Sequence, residues 1–329
     1  MGEKIKILLT EPLIEPVDRV GLDMLRSIGE ITQAQNSTEE CLVKDAADVD
    51  AIVVRLAKIT SKIIKNAPKL KVIARTGVGV DNIDVESATE NGVYVVNLPA
   101  MNADSVAEHV FCFLLALAKN LTRFDFEVAK GNWKIRDALL ARNHELLGKT
   151  LGIVGFGSIG ARVASRAKVF GMKIVYFDIV KGVNEAAQKV GALFVDLKTL
   201  LKDSDFVTVH VPLTEETRHM FGEEEFRLMK NTAYFVNTSR GSIVDQKALL
   251  KALEEGYLAG AALDVYETEP PAVDDPIVRP GVILKTPHVA GFTKESRERM
   301  IVTLAEDVLR VFRGESPVNL VNRKSLGRA

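Results

Sequence analysis

A glycine run set between a short apolar stretch and an amphipathic one constrains this chain more than any other feature. Gly155-Phe156-Gly157-Ser158-Ile159-Gly160 follows the strand-like LGIV and opens the helix-like IGARVASRAKVF. Glycines at those three places permit a tight turn, a close approach of backbone to a pyrophosphate, and close packing of helix against strand. The helix N-terminus would then present free N–H groups and the positive end of its dipole to the phosphates. Asp178 closes the next strand-like run, KIVYFD. A carboxylate there accepts hydrogen bonds from an adenosine ribose and repels a 2′-phosphate. The pattern predicts a dinucleotide site with NAD favoured over NADP, although Lys181, close behind, could serve a phosphate instead. A flavin would suit the same fold, but no second flavin-shaped feature accompanies the motif.

The rest of the chain supplies two α/β patterns in succession. Apolar runs at 4–10, 51–55, 70–76 and 93–99 read as strands of a first unit, with helical patterns at 20–28 and 63–67. A second unit starts at 150–160 and continues through strand-like runs at 173–178, 206–212, 232–239, 260–266 and 282–288. Helical stretches at 159–170, 185–190, 222–229 and 245–255 lie between them. Strands separated by helices imply parallel sheets covered on both faces. The fold class is therefore α/β, with two doubly wound parallel-sheet domains of Rossmann or flavodoxin type. An apolar helix is expected to begin after Ser105, with Glu108 at the capping-box spacing, and to be buried between domains or in a subunit contact. A further amphipathic helix spans about 294–313; its return to the first unit would make that domain discontinuous.

Charge and composition exclude several functions. The 329 residues exceed one ordinary core, and 43 Lys and Arg balance 44 Asp and Glu for a net charge of -1. No dense basic run is present, so nucleic acid is not an expected partner. No apolar run is long enough to span a bilayer, and the start MGEKIKILLTEPL lacks the apolar core of a secretion signal. Cys41 and Cys112 support neither a disulfide framework nor a cysteine zinc site. A cytoplasmic setting without membrane or metal is expected.

Hydride transfer to a ketone needs a proton donor, and histidine is the natural one near neutral pH. Of the five, His109 lies within the apolar helix, while His144 and His219 sit in polar segments. His210 ends a strand of the nucleotide sheet, and His288 follows Pro287 at the end of the last strand, at a predicted domain junction. Ligands of open α/β sheets sit beyond the carboxyl ends of strands, and clefts between domains favour substrates, so His288 leads His210. Arg240, after the strand TAYFVNTS, can hold a carboxylate bidentately and polarise the adjacent carbonyl. Backbone N–H groups of Gly77-Val78-Gly79, at another strand end, could form an anion nest. A carboxylate near the histidine would fix its tautomer; Glu269, Glu267 and Asp264 all compete for that place.

Six blocks resemble the D-2-hydroxyacid dehydrogenase family: ARTGVGVDNID, GKTLGIVGFGSIG, VHVPLTEETRHM, NTSRGSIVDQKAL, GAALDVYETEPP and KTPHVAGFT. They span nearly the whole chain in order. The resemblance implies a substrate domain split between 1–98 and 291–329, around a dinucleotide domain at 99–290, and a homodimer formed largely through the nucleotide domains. It implies Arg240 as carboxylate clamp, Glu269 as histidine partner and His288 as acid/base. It further implies NAD contacts at Gly155, Phe156, Gly157, Ser158, Ile159, Gly160, Asp178, His210, Val211, Pro212, Thr217, Thr238, Ser239, Asp264, His288 and Gly291. Val78 and Gly79 match the loop whose N–H groups meet substrate.

Within the family, VVRLAKIT and RTGVGVDNID look closest to phosphoglycerate dehydrogenases, in which an arginine at the place of Arg55 faces the substrate phosphate. Leu56 stands where a small hydroxyl residue is common. The expected substrate is a 2-hydroxy or 2-oxo acid, first 3-phosphoglycerate in serine biosynthesis. Glyoxylate or hydroxypyruvate is the alternative, and an NAD(H)-sensing, corepressor-like interaction protein is the alternative of another class. A short form is expected, since no regulatory extension follows His288 before Ala329.

Overall fold

Short runs of Val, Ile and Leu become the strands of two parallel sheets, the central ones buried along their whole length. A computed structural model describes residues 4–180, 184–279, 281 and 283–323, so Lys181 lies outside the described residues. The chain divides into two units, Met1–Asn102 with Thr293–Ala329, and Ala103–Phe292.

The first unit runs β1 (Ile5–Leu9), α1 (Arg19–Ile28), β2 (Gly29–Gln33), α2 (Glu39–Asp45), β3 (Ala51–Val54), α3 (Ser61–Lys65), β4 (Val72–Arg75), α4 (Val85–Glu90) and β5 (Tyr94–Val96). Its sheet has the order β2-β1-β3-β4-β5, all parallel. Edge strand β2, GEITQ, and the short helices α2 and α4 have no clear sequence signal. β2 has one large apolar side chain, Ile31, and no fully buried residue.

The second unit runs α5 (Ala103–Ala118), α6 (Leu121–Ala129), α7 (Ile135–Ala138), β6 (Thr150–Val154), α8 (Ser158–Val169), β7 (Lys173–Phe177), α9 (Glu185–Val190), β8 (Leu193–Phe194) and α10 (Leu197–Asp203). It continues with β9 (Phe206–Val209), α11 (Glu223–Leu228), β10 (Tyr234–Asn237), α12 (Gln246–Glu254), β11 (Gly260–Leu263) and β12 (Ile283–Lys285). These strands form a parallel seven-stranded sheet, β12-β11-β10-β9-β6-β7-β8.

The last helix, α13 (Lys294–Phe312), returns to the first unit and makes it discontinuous. Met300, Ile301, Leu304 and Val308 join the core formed by Ile7, Leu9, Leu22 and Leu25. Gly21 on α1 is required there, because a Cβ would lie 2.6 Å from the Ile301 side chain. Arg297 forms a bidentate pair with Asp18 at 2.7 Å for both bonds, with the two side chains 5% and 0% exposed.

One expectation at the helix following β5 is corrected. α5 starts at Ala103, so Ser105 is inside the helix and not its cap. Buried there, its hydroxyl needs an acceptor and donates to the Ala290 carbonyl at 2.7 Å. Glu108 pairs instead with Arg166 at 3.1 Å. Among the described residues no helix is long and apolar enough to cross a membrane.

Candidate active site

The carboxyl edge of the second sheet collects the loops that follow β6, β7, β9, β10, β11 and β12. Strand order reverses between β6 and β9, the position at which open α/β sheets take their ligands. Gly155 holds the turn after β6 at φ +91°, and a Cβ on it would come within 2.9 Å of the His210 carbonyl and of Val211 Cγ1. A Cβ on Gly160 would meet the Gly155 carbonyl oxygen at 2.2 Å. Packing within the chain therefore explains both residues. Gly157 differs: a Cβ there would enter open space.

α8 begins at that open point. Gly157 precedes it without a side-chain cap, and its first turn has no acidic residue, whereas Asn184, Asp196 and Asp245 cap α9, α10 and α12. Four N–H groups at the start of a twelve-residue helix are left to an external acceptor. The residues fit a dinucleotide pyrophosphate on this ground. Ser158 and Ile159 form the first turn, and Ser158 Oγ accepts from Arg162 at 2.7 Å. Asp178, just beyond β7, accepts from the Phe156 N–H at 2.7 Å and the Val180 N–H at 2.9 Å, one bond per oxygen. Each oxygen keeps a lone pair for a ribose hydroxyl.

The loop after β9 carries His210, Val211 and Pro212. His210 Nε2 lies 3.1 Å from Thr208 Oγ1, and burial pushes its pKa down to about 3. A histidine so far below neutrality is an uncharged wall and a poor proton donor at pH 7. Thr217 Oγ1 donates to the Pro212 carbonyl at 2.6 Å and closes that loop. After β10, buried Asn237 braces the turn: its Oδ1 accepts from the Ser239 N–H and Oγ, and its amide donates to the Arg240 carbonyl at 2.9 Å. Thr238 is buried beside it. Asn237 was not singled out in the sequence, although a polar side chain ending an apolar strand is a usable signal. Gly241 then packs directly on the next loop, since a Cβ would lie 1.9 Å from the Tyr266 carbonyl carbon. That contact sets Arg240 beside the loop that bears Glu269.

Of the three competing acids, Glu269 meets His288, at 2.7 Å from Nδ1. Its other oxygen accepts from the Tyr266 N–H at 3.0 Å. Burial opposes ionisation of Glu269, but the bonds from His288 and Tyr266, with the charges of His288 and Arg240, outweigh it and hold its pKa below the usual glutamate value. Glu267 turns to His219, 3.3 Å away, and to the Gln246 N–H. Asp264 is fully buried and holds the segment around His288: its oxygens accept from the Thr286 hydroxyl and from the Val289 and Ala290 N–H groups, both at 2.8 Å. Gly291 follows directly. His288 has φ +55°, a left-handed conformation costing a non-glycine residue on the order of 1–3 kcal/mol. Asp264 supplies the surrounding bonds that maintain it, including one from the His288 N–H to its own carbonyl at 2.8 Å. His109 reaches the same place from α5, with Nε2 3.0 Å from Thr286 Oγ1.

The first unit carries the remaining candidates. Arg55 follows β3, and its Nε is buried without a partner among the described residues. In the loop after β4, the Gly77, Val78 and Gly79 carbonyls accept from the Leu98 N–H, the Asn97 amide and Arg75 Nε. The Val78 and Gly79 N–H groups have no partner among the described residues, which leaves them available to an anion. Among the described residues no group of three His, Cys, Asp or Glu side chains could hold a metal ion.

Known proteins resemble this chain in sequence and fold. The family described as D-isomer specific 2-hydroxyacid dehydrogenase, NAD binding domain, matches residues 111–290. Glyoxylate reductase of Thermococcus litoralis is 46% identical over 290 residues, 87% of this chain and 87% of that protein. D-3-phosphoglycerate dehydrogenase of Methanocaldococcus jannaschii is 43% identical over 326 residues, 98% of this chain and 60% of that protein. Among solved structures, D-lactate dehydrogenase from Aquifex aeolicus, complexed with NAD and lactic acid, superposes with a TM-score of 0.86 at 30% identity, covering 98% of this chain and 100% of that one.

Proposed function

The chain belongs to the D-isomer specific 2-hydroxyacid dehydrogenases, NAD-dependent oxidoreductases, and from that membership we propose that it reduces glyoxylate or hydroxypyruvate with NADH. The expectation of 3-phosphoglycerate gives way to its alternative. Glyoxylate reductase of T. litoralis matches over most of both lengths, whereas the phosphoglycerate dehydrogenase extends well beyond the match. The interaction-protein alternative is set aside with it.

The observation that carries the chemistry is the 2.7 Å bond between Glu269 and His288, on the sheet edge that also presents Arg240. Glu269 occupies Nδ1, so Nε2 is the atom that hands a proton to the C2 oxygen as bound NADH supplies the hydride. A Glu269 carboxylate held below its usual pKa stays ionised as the acceptor facing Nδ1. Arg240 clamps the substrate carboxylate and stabilises charge growing on the carbonyl oxygen. The Val78 and Gly79 N–H groups are assigned to substrate, and the loops at 210–217, 238–239 and 288–291, with Asp264 beneath the last, to the cofactor. Asp178 favours NADH over NADPH by repelling a 2′-phosphate. A homodimer through the nucleotide unit is part of this reading: Leu121, Phe126 and Val128 of α6, with Trp133, Leu140 and Leu147 after it, are large apolar side chains left exposed.

Steady-state reduction of glyoxylate, hydroxypyruvate, pyruvate and phosphohydroxypyruvate with NADH tests the assignment. The highest kcat/KM is expected for glyoxylate or hydroxypyruvate; a clear preference for phosphohydroxypyruvate would return the assignment to phosphoglycerate.

A further inference from the structure

Helix α5 holds the segment that carries His288 at two points, one on either side of it. Ser105 and His109 are four residues apart on that helix, so their side chains leave the same face one turn apart. Ser105 Oγ donates to the Ala290 carbonyl at 2.7 Å, just after His288. His109 Nε2 lies 3.0 Å from Thr286 Oγ1, just before it. Around this polar pair the helix buries Val106, Ala107, Val110, Phe113 and Leu114.

The direction of each bond follows from the acid between them. Asp264 Oδ1 accepts from the Thr286 hydroxyl and the Val289 N–H, and Oδ2 accepts from the Ala290 N–H. With its one proton turned to Asp264, the Thr286 hydroxyl can meet His109 only as an acceptor. His109 Nε2 therefore carries a proton and is the donor. The ring does not bond the acid directly, since Nε2 is 3.9 Å from Asp264 Oδ1. Edge-on packing against Phe113, with centroids 4.5 Å apart, sets the plane of the ring. Burial lowers the His109 pKa more than the Asp264 charge raises it, so the ring is neutral near pH 7 and the contact is a hydrogen bond between uncharged groups.

These bonds bear on a strained residue. His288 sits at φ +55°, a conformation that a non-glycine residue keeps only where its surroundings over-determine it. The bond from Nδ1 to Glu269 fixes the imidazole only while the backbone beneath it stays in place. Thr286 is held by its hydroxyl and, from Tyr266, by its carbonyl at 3.0 Å, and the Val289 and Ala290 N–H groups are held by Asp264.

We propose that His109 is a positioning residue for the reaction: through Thr286 and Asp264 it holds the left-handed segment from which His288 presents Nε2, while Ser105 holds the far end of that segment. This inference rests on His288 as the proton donor of the reductase reading. It goes beyond that reading by placing the support of His288 on a helix 177 residues from Thr286 in sequence.

Reduction of glyoxylate by NADH with the full-length protein tests it. His109→Leu keeps an apolar side chain in the space but removes the donor. It is expected to lower kcat about tenfold or more, as small misplacements of a reacting group do, and to change KM for glyoxylate and NADH by less. His109→Gln, whose amide can donate to Thr286, is expected to recover most of that loss. Amide hydrogen exchange gives a readout that needs no turnover: in the His109→Leu protein Val289 and Ala290 should exchange faster, while the amides of β6 and β9 keep wild-type rates. Ser105→Ala loosens the other end and should act in the same direction, which keeps the test open if His109→Leu does not fold. An unchanged kcat in both variants, or a loss that His109→Gln shares in full, overturns the inference and leaves the reductase reading intact. Wild-type protein that reduces neither glyoxylate nor hydroxypyruvate would overturn the reductase reading. Faster exchange at Val289 and Ala290 would then still support the hold of His109 on the segment, and unchanged exchange would overturn it.

Discussion

Helix α8, at the carboxyl edge of the second sheet, starts with no side-chain cap and with open space over Gly157, whereas at the corresponding edge of the first sheet Glu11 closes a nest of N–H groups from Arg55, Leu56 and Ala57. Both sheets are parallel, and both reverse order near the middle. What separates them is which backbone donors the chain satisfies for itself. In the second unit buried acids and amides are turned inward to hold loops in place: Asp264 the His288 segment, Asn237 the Arg240 turn. The N–H groups that open α8 receive no side-chain cap. In the first unit the buried pair of Arg297 and Asp18 ties α13 to α1. One unit uses its polar interior to aim functional groups; the other uses it to join two distant pieces of chain.

Three substitutions break or sharpen that contrast. His288→Ala should have the largest effect on turnover. Loss of the proton donor is expected to lower kcat by about 10²–10⁴-fold, far more than it weakens NADH affinity read by fluorescence titration. Unimpaired turnover would remove His288 from the chemistry. Arg297→Ala addresses the first unit and leaves Asp18 buried without its guanidinium. Breaking a buried pair costs about 3–5 kcal/mol, so urea unfolding should show that loss, with NADH binding still measurable below the transition. A change under about 1 kcal/mol would mean that apolar packing of α13 alone holds the split unit together. The smallest effect on the fold is expected from Phe126→Glu on exposed α6, within about 0.5 kcal/mol as for ordinary surface changes. Its readout is assembly: sedimentation should shift from dimer toward monomer, and an unchanged monomer in the wild-type protein would end the homodimer proposal.

Much of the site could be read locally. The glycine loop is six consecutive residues between a strand and a helix, and the strands that form it are apolar runs whose burial needs no distant information. Arg240 and His288 were identifiable as groups at strand ends. The choice among Asp264, Glu267 and Glu269 was not. All three fall within six residues of one loop, and which of them meets His288 depends on how Gly241 packs on Tyr266 and on the left-handed turn at His288. Ser105 shows the opposite failure, a capping pattern that looked complete but whose hydroxyl serves the Ala290 carbonyl, 185 residues away in sequence.

The sequence by itself determined two α/β units and a dinucleotide-binding loop, because periodicity, glycine spacing and a terminal acid act over one or two turns of chain. Tertiary structure alone decided that Glu269 partners His288 and that Asp264 faces the 286–290 backbone. It also decided that Glu11, 44 residues from Arg55, fills the nest at the first sheet's edge. Each of these is a single hydrogen bond or a small set of them between separate strand ends. Such bonds leave no periodic trace in the chain, since their partners are brought together only when the parallel strands set their loops side by side.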